Sequence, residues 1–226
     1  MKAETETAPE KRVTPVWDLP LRLFHWALVL LVISQLITAS IGGNALVYHA
    51  YGGYAILTLV LFRIAWGFLG GTHARFRDFV RGPAAVLSYA KALSSGAATE
   101  HRGHNPLGGW SVLAMLASLL VQAGTGLFAN DDVMMEGPLV KHVSGRTSEI
   151  ATAIHDVNAV ILMALIALHI LAVLYYWFGK KQNLILPMVT GRKAAGMDAG
   201  RAGGSIGAAA LVAAAAAAIV YLVVTS

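Results

Sequence analysis

Residues 154–170 read IHDVNAVILMALIALHI, an apolar run with His155 near its start and His169 near its end. In a helix, a separation of 14 residues turns through about 1400°, within ~40° of four whole turns, and rises ~21 Å. One face of one helix therefore carries two imidazoles, one toward each side of a hydrocarbon core ~30 Å thick. Ionisable side chains within such a span are costly and rare, which makes each of them a functional candidate. The spacing is too long for both to hold one metal ion, where i, i+3 or i, i+4 is expected. That leaves a transport reading, with the histidines as metal or proton-relay groups, the weakest. Two sites follow, each needing a second ligand from another helix.

The rest of the chain is built to receive that helix. Of 226 residues 57% are hydrophobic and 13% charged, against roughly 25% charged in soluble domains. Apolar runs of spanning length fall at about 22–41, 48–69, 109–129, 153–178 and 206–224. The fold expected is an all-α membrane protein, a four-helix transmembrane bundle binding haem with a fifth, C-terminal transmembrane helix. The first run starts after some twenty residues and is longer than a signal-peptide core of about 7–15, so it is expected to remain uncleaved. Residues 1–15 read as a disordered cytoplasmic tail, 16–190 as the four-helix domain, and 191–226 as a linker and the fifth helix. That helix, AALVAAAAAAIVYLVV, has no polar anchor and reads as an appendage. PAAVLSYAKAL, from Pro83, reads as a short helix lying along the membrane surface.

A net charge of +5 and a pI near 9.6 do not point to nucleic acid, because the basic residues follow the membrane. Lys2, Lys11, Arg12 and Arg22 precede or open the first span; Arg63, Arg75, Arg77, Arg81, Lys91 and Arg102 end or follow the second; Lys180, Lys181, Arg192, Lys193 and Arg201 follow the fourth. Only Lys141 and Arg146 fall on the other side. The positive-inside rule then puts the N-terminus in the cytoplasm and the C-terminus in the periplasm. The outer loop 130–152 sets Asp131, Asp132, Glu136 and Glu149 against those two bases and is the only acidic face. It fits docking of a basic redox partner, or a plain solvated loop.

Topology pairs the histidines. The fourth span runs from outside to inside, so His155 lies at the level of His49, at the outer start of the second span. His169 lies deeper, toward His25 near the inner start of the first. Two bis-histidine sites result, and filling both axial positions of a haem iron favours electron transfer over oxygen chemistry. With no cysteine in the chain, thiolate iron–sulfur clusters and covalent c-type attachment are excluded; the expectation is two non-covalent b haems. Gly52 and Gly53, three and four residues after His49, leave room on that ligand's face. Arg22, Arg63 and Trp66 stand at the inner level, where cationic and indole donors bind propionates or simply mark helix ends. His73, His101, His104 and His142 fall in loops and read as solvated.

VWDLPLRLFHW around His25, YHAYGGYAILTLVLFRIAWGF from Tyr48, GHNPLGGWSVLAML, TGLFANDD and the 154–170 segment together resemble the bacterial cytochrome b561 and Ni,Fe-hydrogenase cytochrome b-subunit family over roughly residues 14–192. The resemblance implies a four-helix core with two b haems in the bacterial cytoplasmic membrane, exchanging electrons with quinone, and its ligand positions match His25, His49, His155 and His169. Family members differ in partner: a hydrogenase, a soluble c-type cytochrome, or superoxide with quinone. No general acid or base stands beside the histidines, which fits a carrier better than an enzyme. The alternative is a quinone-linked oxidoreductase such as a superoxide oxidase, with Lys141, His142 and Arg146 attracting the anion. The fifth helix departs from the pattern and leaves a homo-oligomer or a partner subunit open.

Overall fold

The computed structural model describes residues 13–97, 101, 103–133, 135–194 and 203–226; residues 1–12 of the expected tail, and 195–202 of the expected linker, lie outside these. In chain order the helices are α1 (Leu19–Ile41), α2 (Leu46–Leu69), α3 (Phe76–Phe79), α4 (Pro83–Ser94) and α5 (Pro106–Gly126). They are followed by α6 (Gly145–Leu174), continued by a π-helical turn over Tyr175–Gly179, then α7 (Ile185–Thr190) and α8 (Ile206–Thr225). The spans of α1, α2, α5, α6 and α8 are long and apolar enough to cross a membrane, so the chain is a multi-pass, all-α membrane protein. Each expected run finds its helix, and Pro83 opens α4 as anticipated.

Polar caps set where most of the spanning helices begin. Asp18 accepts from the Leu21 amide, Asn105 from Gly108, Ser144 from Thr147 and Ser205 from Ala208, each satisfying a donor that lipid cannot. Ser144 starts α6 ahead of its apolar run, and residues 145–152 add two mostly polar turns to it. Gly42 ends α1 at φ +65°, a conformation open to glycine, and turns the chain tightly into α2.

The main packings join α1 to α2, α2 to α5 and α5 to α6, with α8 laid on α2. At mid-height, Ile56, Val60, Leu119 and Leu162 form a closed apolar layer with Leu28, Leu31, Val32 and Ile166 around it. Leu162 lies seven residues from each α6 histidine, so the layer separates their two levels. Helix α8 is no appendage: Ala209, Ala216 and Val220 are buried, and the first two share a core with Phe62 and Trp66 of α2. Lipid gives helix association no hydrophobic drive, so small side chains that admit close approach supply the anchor that polar groups do not.

A latch closes the basic end. Val13–Pro15, expected within the tail, form β1 and pair antiparallel with β2, Arg192–Ala194, beyond α7. Asp18 accepts from Trp66 Nε1 at 3.1 Å and from the Gly71 amide at 3.2 Å besides capping α1. Tyr176, in the π turn, meets the Tyr89 hydroxyl at 2.9 Å and accepts from Asn105 Nδ2 at 2.8 Å, tying α4 and the start of α5 to the end of α6.

Candidate functional site

His49, in the first turn of α2, and His155 of α6 come together with ring centroids 6.3 Å apart and planes at 73°. Their Nδ1 atoms have matching partners. His49 Nδ1 lies 3.2 Å from the Gln35 carbonyl and 3.3 Å from Thr38 Oγ1; His155 Nδ1 lies 2.9 Å from the Gln122 carbonyl and 3.3 Å from Thr125 Oγ1. A carbonyl only accepts, so both Nδ1 atoms carry the proton. Each threonine hydroxyl donates to its own helix, Thr38 to Ser34 and Thr125 to Val121, both at 2.7 Å, and turns a lone pair toward the ring. Each Nε2 is left with its lone pair, the tautomer a metal requires.

Two such lone pairs cannot bond one another. A centroid separation of 6.3 Å is in the range for two imidazoles that share one metal ion through metal–nitrogen bonds of ~2.0 Å each. The two imidazoles therefore fit a haem iron, which they would hold between them at this level. Gly126 lets α5 approach, since a Cβ there would lie 3.1 Å from His155 Cε1. A Cβ on Gly53 would meet nothing within 4 Å, whereas the room beside Gly52 is taken by the Gln35 amide.

At the other level, His25 of α1 and His169 of α6 are half-buried and within electrostatic reach of one another. His25 Nδ1 is buried without a partner, and its ring meets Trp26 edge-on at 5.0 Å. Arg63, 2% exposed, holds its guanidinium over the Phe76 and Phe79 rings at 5.1 and 5.9 Å, leaving Nη1 without a partner. Arg22 donates through Nη2 to the Val189 carbonyl, with Nε unpartnered, so its guanidinium clasps the last turn of α7. Trp66 spends its indole N–H on Asp18, which corrects the expectation of a propionate donor there.

His104 also departs from expectation. Its ring is held between Trp17 and Phe79 at 4.7 and 4.6 Å, with Nδ1 shut from solvent and unpartnered. Burial first, then the Arg63 guanidinium, His169 and His73, push it down to about 3, so it is neutral. A cavity of about 200 Å³ borders it, lined also by His73, Asp78, Arg81 and His101. His142 is exposed, as expected. At the acidic-loop end, Lys141 donates to the Ser226 carbonyl at 2.8 Å.

Sequence reasoning missed a buried polar cluster between the levels. Asn158 donates to the Ser118 carbonyl at 2.9 Å and to Gln122 Oε1 at 2.7 Å, and accepts from Ser118 Oγ at 3.0 Å. Gln122 thus joins the cluster to His155. The available signals were Asn158, a polar residue within an apolar run, and the spacing Gln-x-x-Thr, which occurs at Gln35 and again at Gln122.

No curated protein matches the chain. A sequence model of the prokaryotic cytochrome b561 family matches residues 16–191, a stretch that carries all four spanning histidines and Arg63 and leaves α8 outside. The chain therefore belongs to the prokaryotic cytochrome b561 family, membrane b-type cytochromes of electron transfer.

Proposed function

We propose that this chain is a di-haem b-type cytochrome of the bacterial inner membrane, with His49 and His155 ligating one haem and His25 and His169 the other. It carries electrons between a periplasmic redox partner, a c-type cytochrome or hydrogenase-type subunit, and membrane quinone. The observation that carries the reading is the outer pair: two imidazoles 6.3 Å apart with both Nδ1 protons committed to carbonyls. Haem, when bound, supplies a ferric–ferrous couple that passes one electron at a time.

The chain's own residues do the rest. Two imidazoles at each level would hold the haem iron between them and leave no open site for oxygen. The carbonyls of Gln35 and Gln122 hold the outer rings in one tautomer and raise their basicity, favouring the ferric state. Leu162, Val60 and Leu119 keep water out of the layer between the levels. Arg63 supplies positive charge to carboxylates at the inner level. The charge asymmetry supports orientation: the basic end in the cytoplasm and the acidic 130–152 loop in the periplasm, where it attracts a basic partner.

The test is a reduced-minus-oxidised spectrum of the detergent-purified protein with pyridine haemochrome quantification, repeated on His155→Ala and His169→Ala. Two haems b per chain, with one lost in each variant, is the expected result. A colourless protein overturns the reading.

A further inference from the structure

Among the described residues, six buried side-chain atoms have no hydrogen-bond partner: Arg22 Nε, His25 Nδ1, Gln35 Nε2, Arg63 Nη1, Asp78 Oδ2 and His104 Nδ1. Buried polar atoms are nearly always paired, so each orphan asks what satisfies it. Arg63 and His104 form one group. Phe79 lies against both, 5.9 Å from the guanidinium and 4.6 Å from the imidazole, and His104 is within electrostatic reach of Arg63 and of His169.

A guanidinium buried this deeply needs an anion in contact, because a neutral partner leaves its charge uncompensated. Asp18 lies within electrostatic reach of Arg63, but its two oxygens accept from Leu21, Gly71 and Trp66 and leave Arg63 Nη1 without a partner. His104 points to the same missing group. A neutral imidazole puts its proton on either nitrogen, so Nδ1 donates once an acceptor stands before it, and Trp17 and Phe79 fix the ring's direction.

We infer that His104 is a second carboxylate-binding residue beside Arg63, and that the two together hold the propionates of the haem at the His25–His169 level. This rests on the di-haem reading above. It gives a role to an imidazole that neither lies in a span nor belongs to a ligand pair.

The experiment uses the full chain in detergent, with haem isotope-labelled at its carboxyl carbons, and compares wild type with His104→Phe and His104→Gln. Phenylalanine keeps the packing between Trp17 and Phe79 and removes the donor; glutamine keeps a donor. Redox-difference infrared spectra and potentiometric titration of each haem at fixed pH are the readouts. In His104→Phe the labelled carboxylate bands shift and one haem's potential falls, since a carboxylate with fewer donors favours the ferric state, while the other haem is unchanged. In His104→Gln both return toward wild type. Labelled bands and potentials in His104→Phe that coincide with wild type overturn the inference and leave the di-haem reading standing. If His104→Phe does not accumulate, His104→Leu takes its place against His104→Gln, and identical spectra overturn it equally. A wild-type protein without haem removes both the inference and the reading.

Discussion

At the scale of single residues, His49 and His155 are held by atoms that the sequence does not distinguish. Gln35 and Gln122 bind the two imidazole rings through backbone carbonyls, which every residue possesses, so only geometry reveals them. The histidines themselves were legible, because an imidazole in an apolar run is expensive and its spacing fixes its face. Asn158 lies between these cases: its polarity was visible and its partners were not. Asn158→Leu leaves the Ser118 hydroxyl and the Gln122 amide oxygen without their partner in the bundle interior. Interhelical hydrogen bonds in membrane proteins are worth about 0.6–2 kcal/mol, so this variant is expected to unfold at lower temperature by about 1–2 kcal/mol. Because Gln122 also orients His155, the potential of one haem should move with it. Thermal unfolding in detergent and a redox titration check the two together; a lowered melting point with both potentials unmoved shows that the cluster is structural only.

At the scale of elements, apolar runs report the hydrocarbon segment and not the helix. The run expected at 153–178 became a span over Gly145–Gly179, because Ser144 caps it among polar residues. His104 was misplaced for a related reason: a loop residue in sequence is packed between Trp17, in the link from β1 to α1, and Phe79 of α3. Helix α8 shows the opposite failure, where an absence of polar residues hid a tight fit. Ala216 is 5% exposed against α2, and a longer side chain there has nowhere to go. Ala216→Leu is expected to cost about 1–3 kcal/mol through overpacking, read as a lower melting temperature. Both proposed haems are expected to stay, since their proposed ligands lie on α1, α2 and α6; loss of haem in this variant would make α8 part of the cofactor site.

At the scale of the whole molecule, charge and cofactor levels form one asymmetric object. The β1–β2 latch ties the start of α1 to the segment beyond α7 at the end that carries most of the lysines and arginines. His25, Arg63 and His104 gather at that same end, while His49 and His155 lie toward the acidic loop. Orientation therefore decides which of the two proposed haems faces the proposed soluble partner. The absence of cysteine makes it directly measurable. Lys91 and Glu149 are both exposed, on opposite ends of the bundle, so Lys91→Cys and Glu149→Cys each introduce a single thiol. A membrane-impermeant maleimide should label Glu149→Cys in intact spheroplasts and Lys91→Cys only in inverted vesicles, because moving basic loops across the membrane is what the positive-inside rule forbids. The reverse pattern would put Arg63 and His104 at the periplasmic haem and the acidic loop in the cytoplasm. A basic periplasmic partner would then meet a basic face, and electron entry would have to be sought from the opposite side.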